Sequence, residues 1–415
     1  MKAKRKGVAA NSKRTPTVRR IRPAIAPVSR PRGPAPFPPP GGRAGPSSAS
    51  IAGSSAVSSA SASAPRQSSA SSSSASSPGS PSAQAGAPAL DALGGRPVDL
   101  GVDLGRGLAL ANPVIVASGP FGYGAEVTDL VDLPRLGGLV TRSTSLKPKA
   151  GQPAPRMAEV PAGLLLGMGP QNPGLELVLE RYASVWARWE APVILSLCAD
   201  SAGELGEAVR RIEGEAGIAG LEINLSCGGG GRGGAIPGLD ADAAASYVAA
   251  ARRGTDLPII AKLTAQAADV RTIARSVEGA GADAISAINT LPGFALAADR
   301  RGPALGSGYG GLCGPAIRPI ALRVVWEVAQ AVDVPVIGVG GVASVDDVLD
   351  FIAAGASAVG VGVAALADPM LPVRLADELA DACRLLGVAA VGDLVGTALP
   401  ARAGPASTRG AEWAR

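Results

Sequence analysis

The chain has 415 residues, with 39 Lys or Arg against 34 Asp or Glu, four Cys and no His. The missing histidine excludes Ser-His-Asp and Cys-His catalysis and histidine metal sites, and leaves Cys, Lys, Asp and Glu to move protons. Residues 1–90 hold 13 Lys or Arg and no Asp or Glu, so the formal charge of +5 less 13 leaves −8 on an acidic remainder unsuited to nucleic acid.

The first 95 residues are rich in Ala, Ser and Pro, as in "SSASASAPRQSSASSSSASSPGSPS". Such a segment cannot bury enough apolar surface to order itself and is expected to be a disordered basic tail. It lacks the apolar stretch of a secretory signal, so a cytoplasmic location is expected, with an organelle transit peptide as the alternative. No later run reaches the roughly 18 apolar residues of a membrane span. Cys198, Cys227, Cys313 and Cys383 show no C-x-x-C spacing, which argues against zinc, an iron–sulfur cluster on this chain alone, or a disulfide framework.

Residues 97–110, "PVDLGVDLGRGLAL", alternate as a hairpin does and are expected to close one end of a barrel. Short, continuous apolar runs follow at 113–118, 137–143, 192–198, 221–226, 258–264, 284–290, 335–341 and 358–366. Their lack of alternation suits parallel strands buried on both faces. Amphipathic segments lie between and after them at 126–135, 174–188, 201–215, 240–253, 267–281, 316–332, 344–354 and 370–387, several opened by capping residues such as Asp240 and Ser344. Eight such repeats fit one (β/α)8 TIM barrel over residues 96–390, with residues 391–415 expected to be a flexible tail.

In that fold chemistry sits at the C-terminal ends of the strands. The polar residues there are Ser118, Thr141-Arg142-Ser143, Asn224 through Cys227, Lys262 and Asn289-Thr290, while strands seven and eight end in glycine, "GVGGV" and "VGVGV". The bare N–H groups of those glycines suit a phosphorylated cofactor, although any one glycine serves packing equally well. Lys262, inside "PIIAKLT", needs an anionic or polar partner, from either a structural ion pair or a cofactor.

The runs "NPVIVASGPFGYG" (112–124), "GGLVTRSTSLKPKAGQPAPRMAE" (137–159), "GMGPQNPGLE" (167–176), "LEINLSC" (221–227), "AKLT" (261–264), "GADAISAINTLPG" (281–293), "YGGLCGPAIRPIALR" (309–323) and "VIGVGGVASVDDVLDFIAAGASAVGVG" (336–362) resemble, in order, class 1 dihydroorotate dehydrogenases. The "QNPG" form resembles the 1B subclass. The resemblance implies FMN-dependent oxidation of dihydroorotate to orotate in pyrimidine biosynthesis, with hydride passing to flavin N5. It also implies a separate electron-transfer subunit bearing FAD and an iron–sulfur cluster, and a homo-oligomer. By resemblance Ala117, Ser118 and Gly119 approach the flavin, Arg142 and Lys262 contact it, and Gly311, Gly340, Gly341 and Gly362 line its phosphate end. Asn224, Asn289 and Thr290 face the substrate.

Cys227 stands where the family has its base. A thiol titrates near 8.5, and a nearby cation lowers that toward neutral pH. Arg142 and Lys262 are the candidate cations, and a buried structural thiol is the alternative role. Cys198 and Cys383 are expected to be core and Cys313 loop packing. The chain departs from the family at Gly228-Gly229, where Pro-Asn is usual, at Leu166 in place of an Asn, and at Arg142 in place of a Lys. "LSC" with the following "GGGGRGG", and "AKLT", also resemble the pyrimidine-reducing domain of dihydropyrimidine dehydrogenases. That leaves two alternatives: a flavin enzyme on a uracil- or thymine-type ring, and a catalytically degenerate barrel that serves as a structural partner.

Overall fold

The computed structural model describes residues 97–227 and 235–400. The expected basic tail and the glycine run after Cys227 lie outside these residues.

Eight strands, β1 (Val114–Val116), β2 (Gly138–Val140), β3 (Val193–Leu197), β4 (Gly220–Asn224), β5 (Ile259–Lys262), β6 (Ala284–Ala287), β7 (Val336–Val339) and β8 (Ala358–Val361), form a closed barrel. All neighbours are parallel and consecutive in sequence, and β8 pairs with β1. Around it lie α1 (Leu175–Trp186), α2 (Ala202–Ile212), α3 (Ala241–Arg252), α4 (Val270–Gly279), α5 (Arg318–Ala329), α6 (Val345–Ala353), α7 (Ala364–Ala367) and α8 (Leu371–Leu385). This is the expected (β/α)8 TIM barrel.

Side chains alternate along a strand, so each strand serves two cores. On β4, Leu221 and Ile223 point outward, into the cluster that joins strands to helices. Ile115, Ile194, Ile260, Ala284, Ile337 and Ala358 point inward and form a second cluster with Leu104, Leu108 and Leu110. Those three leucines belong to the N-terminal hairpin, Val102–Asp103 with Ala109–Leu110, and all are at most 3% exposed. The hairpin therefore seals the bottom of the barrel, and an Arg106–Asp283 ion pair at 2.9 Å ties it to the start of β6.

Local chemistry explains the helix starts. Ser201 and Asp240 accept hydrogen bonds from Glu204 N and Ala243 N, and Ser344 forms a capping box with Asp347. The helix expected over 126–135 is instead two 3-10 turns, Ala125–Val127 and Leu133–Arg135. Pro134 has no N–H and disfavours helical geometry in Leu133 before it, which breaks a continuous helix.

Residues 391–400, expected to belong to a flexible tail, are instead packed on the barrel. Val391 is 1% exposed, and Gly396 N and Ala398 N donate to Ile352 O and Ala353 O at 2.9 Å. These bonds hold the segment to the end of α6.

A four-stranded antiparallel sheet, which the sequence did not suggest, runs in the order Leu291–Gly293, Gly310–Cys313, Gly163–Leu166, Met157–Val160. Its strands come from the loops after β2 and β6, so it belongs to the C-terminal, site-bearing end.

Candidate active site

Strand register builds a polar layer above the apolar floor. Ser196 on β3 lies beside Glu222 on β4, and Lys262 on β5 beside Ser286 on β6. All four point into the barrel and are at most 4% exposed. Ser196 Oγ donates to Glu222 Oε1 at 3.0 Å. Lys262 Nζ lies 3.4 Å from Glu222 Oε2 and 3.5 Å from Ser286 Oγ. Both contacts of the ammonium are long, which leaves donor capacity for a ligand.

One step nearer the mouth, Ser143 and Ser196 share a hydrogen bond at 2.8 Å, and Asn224 Nδ2 donates to Ser143 Oγ at 3.0 Å. Asn289 Nδ2 donates to Asn224 Oδ1 at 3.3 Å, and Asn289 Oδ1 accepts from Thr290 N at 2.8 Å. The network thus runs from Asn289 through Asn224, Ser143, Ser196 and Glu222 to Lys262. It brings together Ser143, Asn224, Lys262, Asn289 and Thr290, all expected at strand ends from sequence, and adds Ser196 and Glu222. "LEINLSC" held the clue to Glu222: period two puts it on the same face as Asn224.

Cys227 lies just beyond β4 and is partly exposed. Cys198, at the end of β3, is the neighbour that most lowers the Cys227 pKa, against the opposing effect of burial. Lys149 lowers it further, while Asp200 and Glu222 work the other way. Cys227 in turn, together with burial, pushes the Cys198 thiol up. Lys149 pairs with Asp200 at 2.7 Å; partial burial opposes its charge, and the Asp200 carboxylate outweighs this and raises its pKa.

Two expectations change here. The cation at Cys227 is Lys149, because Arg142 is turned to donate its Nε to Gln171 O at 2.8 Å and Lys262 is held by Glu222. Cys198 is buried as expected, at 4% exposure, but it is also the partner of Cys227. Cys313 donates to Leu164 O at 3.3 Å, and burial raises its pKa to about 11. Cys383 is fully buried.

The remaining candidates line the same end. Ala117 is buried at the end of β1, and Ser118 and Gly119 follow it. A Cβ at Gly119, whose φ is +122°, or at Gly362 meets nothing within 4 Å, so both face open space. Packing demands the other three glycines: a Cβ would come within 2.1 Å of Thr290 at Gly311, 2.6 Å of Ala321 at Gly340 and 2.8 Å of Arg318 at Gly341. Leu166 is half-buried in the added sheet, opposite Gly311 and Met157. Ser226 Oγ is a buried side-chain oxygen without a partner among the described residues. No group of three or more metal-ligating side chains occurs among those residues, nor does a helix long and apolar enough to cross a membrane.

A family profile described as "Dihydroorotate dehydrogenase" matches residues 105–383. The "Dihydroorotate dehydrogenase B (NAD(+)), catalytic subunit" of Desulforudis audaxviator (strain MP104C) is 44% identical over 292 residues, 70% of this chain and 95% of that protein. The protein of the same name from Pelobacter propionicus (strain DSM 2379) is 45% identical over 298 residues, 72% of this chain and 98% of that protein. Among solved structures, DHODH in complex with ferulenol from Eimeria tenella has a TM-score of 0.60 at 21% identity, over 74% of this chain and 92% of that chain. That likeness speaks for the fold alone. With a matching profile and relatives above 40% identity, the chain belongs to the dihydroorotate dehydrogenase family.

Proposed function

We propose that this chain is the catalytic subunit of an FMN-dependent oxidation of dihydroorotate to orotate in pyrimidine biosynthesis, with Cys227 as the base. The relatives' shared designation supports the reaction. The observation that carries the residue assignment is Cys227 at the barrel mouth just beyond β4, with Cys198 and the Lys149 ammonium both favouring its thiolate. A thiolate there can take the proton from one ring carbon without a histidine.

The residues present fit a flavin. Gly119 and Gly362 leave room where a side chain would stand, Lys262 keeps unused donors, and Ser226 Oγ has no partner within the described residues. Bound FMN supplies the acceptor for the hydride that leaves the neighbouring carbon. Ala117, Ser118, Gly119, Arg142 and Lys262 would hold its ring and ribityl chain, and Gly311, Gly340, Gly341 and Gly362 its phosphate end. Asn224 and Asn289 bond each other and offer their remaining amide capacity to substrate, with Thr290 beside them. The buried Glu222–Lys262 pair keeps the Lys262 charge in place.

The relatives are named as catalytic subunits with NAD(+), which supports a separate partner that takes electrons onward, and the resemblance gives that partner FAD and an iron–sulfur cluster. Self-association and a cytoplasmic location complete the proposal.

Leu166 favours a second reading, because an apolar side chain in place of an amide weakens selection for a substrate that must be hydrogen-bonded. Anaerobic addition of dihydroorotate or dihydrouracil to the purified yellow protein separates the two. Bleaching of the flavin by dihydroorotate supports the first reading; bleaching by dihydrouracil alone supports the second. No bleaching by either indicates a barrel that has lost catalysis.

A further inference from the structure

Glu222 is joined to the amides at the barrel mouth through Ser196, Ser143 and Asn224, with links of 3.0, 2.8 and 3.0 Å. It is 2% exposed and faces the Lys262 ammonium, so it is a carboxylate, and a carboxylate only accepts. A serine hydroxyl has a single proton to give. Ser196 gives its proton to Glu222 Oε1, so Ser143 must give its own to Ser196. The Ser143 oxygen is left as an acceptor, and it takes the Nδ2 end of Asn224. The other end of that amide agrees: Asn224 Oδ1 accepts from Ser226 N at 3.0 Å and from Asn289 Nδ2, while Asn289 Oδ1 is taken by Thr290 N. Among the described residues, each of the two amides keeps one N–H to spare.

We propose that Glu222 is a positioning residue for substrate: acting through Ser196 and Ser143, its charge fixes the direction of every hydrogen bond as far as Asn224 and holds that amide with its N–H groups toward the ring. The cause is a count of protons. Turning the Asn224 amide over would set its oxygen against the Ser143 oxygen, whose proton is committed, and its NH2 against the Ser226 N–H. In a buried, weakly screened site each such unpaired group costs its full desolvation. The two amides therefore meet the acceptor edge of a ring, a carbonyl or carboxylate oxygen, and turn away an N–H at the same place. Lys262 engages Oε2 of the carboxylate and leaves Oε1 to Ser196, so one buried charge serves both the cofactor side and the substrate side. The role toward substrate rests on the reading proposed above; the direction of the hydrogen bonds does not.

Asn224→Asp tests the direction. The new carboxylate meets a Ser143 oxygen with no proton to offer, so the melting midpoint of the full-length protein, measured with FMN in excess, should fall. Ser196→Ala releases the Ser143 proton, which can then turn to that carboxylate, and in this background Asn224→Asp should lower the midpoint by less. Ser143→Ala removes the opposing oxygen and should shrink the same loss, which keeps the test open if Ser196→Ala does not fold. Equal losses from Asn224→Asp in the parent and in these backgrounds would overturn the proposal. Titration of the oxidised protein with orotate, followed by flavin absorbance, reads the role toward substrate. Ser196→Ala, with Glu222 and Lys262 both in place, should weaken binding about threefold to tenfold, the worth of one net hydrogen bond. Parental affinity in that variant would overturn the positioning role. If the parent binds uracil and not orotate, the substrate reading fails, and the same comparison made with uracil decides the role of Glu222. If it binds neither ring, that reading fails and the melting midpoints decide.

Discussion

Lys262 Nζ lies 3.4 Å from Glu222 Oε2 inside the barrel, and both side chains are at most 5% exposed. Removing one partner of a buried pair leaves an uncompensated charge, which costs about 3–5 kcal/mol. Glu222→Gln should therefore lower the unfolding free energy of flavin-free protein by about that amount, read from urea denaturation. It should also reduce the flavin retained on purification. A stability within about 1 kcal/mol of the parent, the level of an exposed pair, would show that the ion pair is not structural.

Cys198 and Lys149 give the reactivity of Cys227 a pH dependence whose sign is fixed. Cys198 lowers the Cys227 pKa, so the thiolate persists below the usual thiol range and is lost as pH falls through the lowered value. Cys198→Ala removes that influence and should move the pH profile of Cys227 alkylation by iodoacetamide upward. Lys149→Met should move it in the same direction by removing a positive charge. Superimposable profiles for parent and Cys198→Ala would refute this tuning.

A smaller effect is expected away from the site. Ser344 caps α6 by accepting from Asp347 N, and Asp347 reaches back to Ser344 N at 2.9 Å. Ser344→Ala should cost about 1 kcal/mol of stability, with flavin reduction at its parental rate. Equal melting of the two proteins would show that the cap contributes nothing.

The barrel was legible because its strands are continuous β-branched runs and α2, α3, α4 and α6 carry side-chain caps, signals that local sequence holds in full. Cys227, Lys262 and Asn224 were legible because the fold sends strand ends to one face. Lys149 was not, since its approach to Cys227 depends on how the long segment between β2 and β3 folds over the mouth. The partnership of Cys198 with Cys227 was hidden for a similar reason: a lone cysteine at a strand end reads as core until its neighbour's position is known. The added sheet has strands such as "LPG" and "GGLC", too short and too glycine-rich to alternate. The docked segment 391–400 turned on a single buried valine, Val391, and a few backbone bonds.

The central claim is that the Cys227 thiolate takes the substrate proton. Stopped-flow reduction of the bound flavin by dihydroorotate at neutral pH, comparing the parent with Cys227→Ser, measures this directly. A serine hydroxyl without a neighbouring histidine is a poor base, so the rate should fall about 10²–10⁴-fold while the flavin stays bound. Reduction at the parental rate would contradict the assignment.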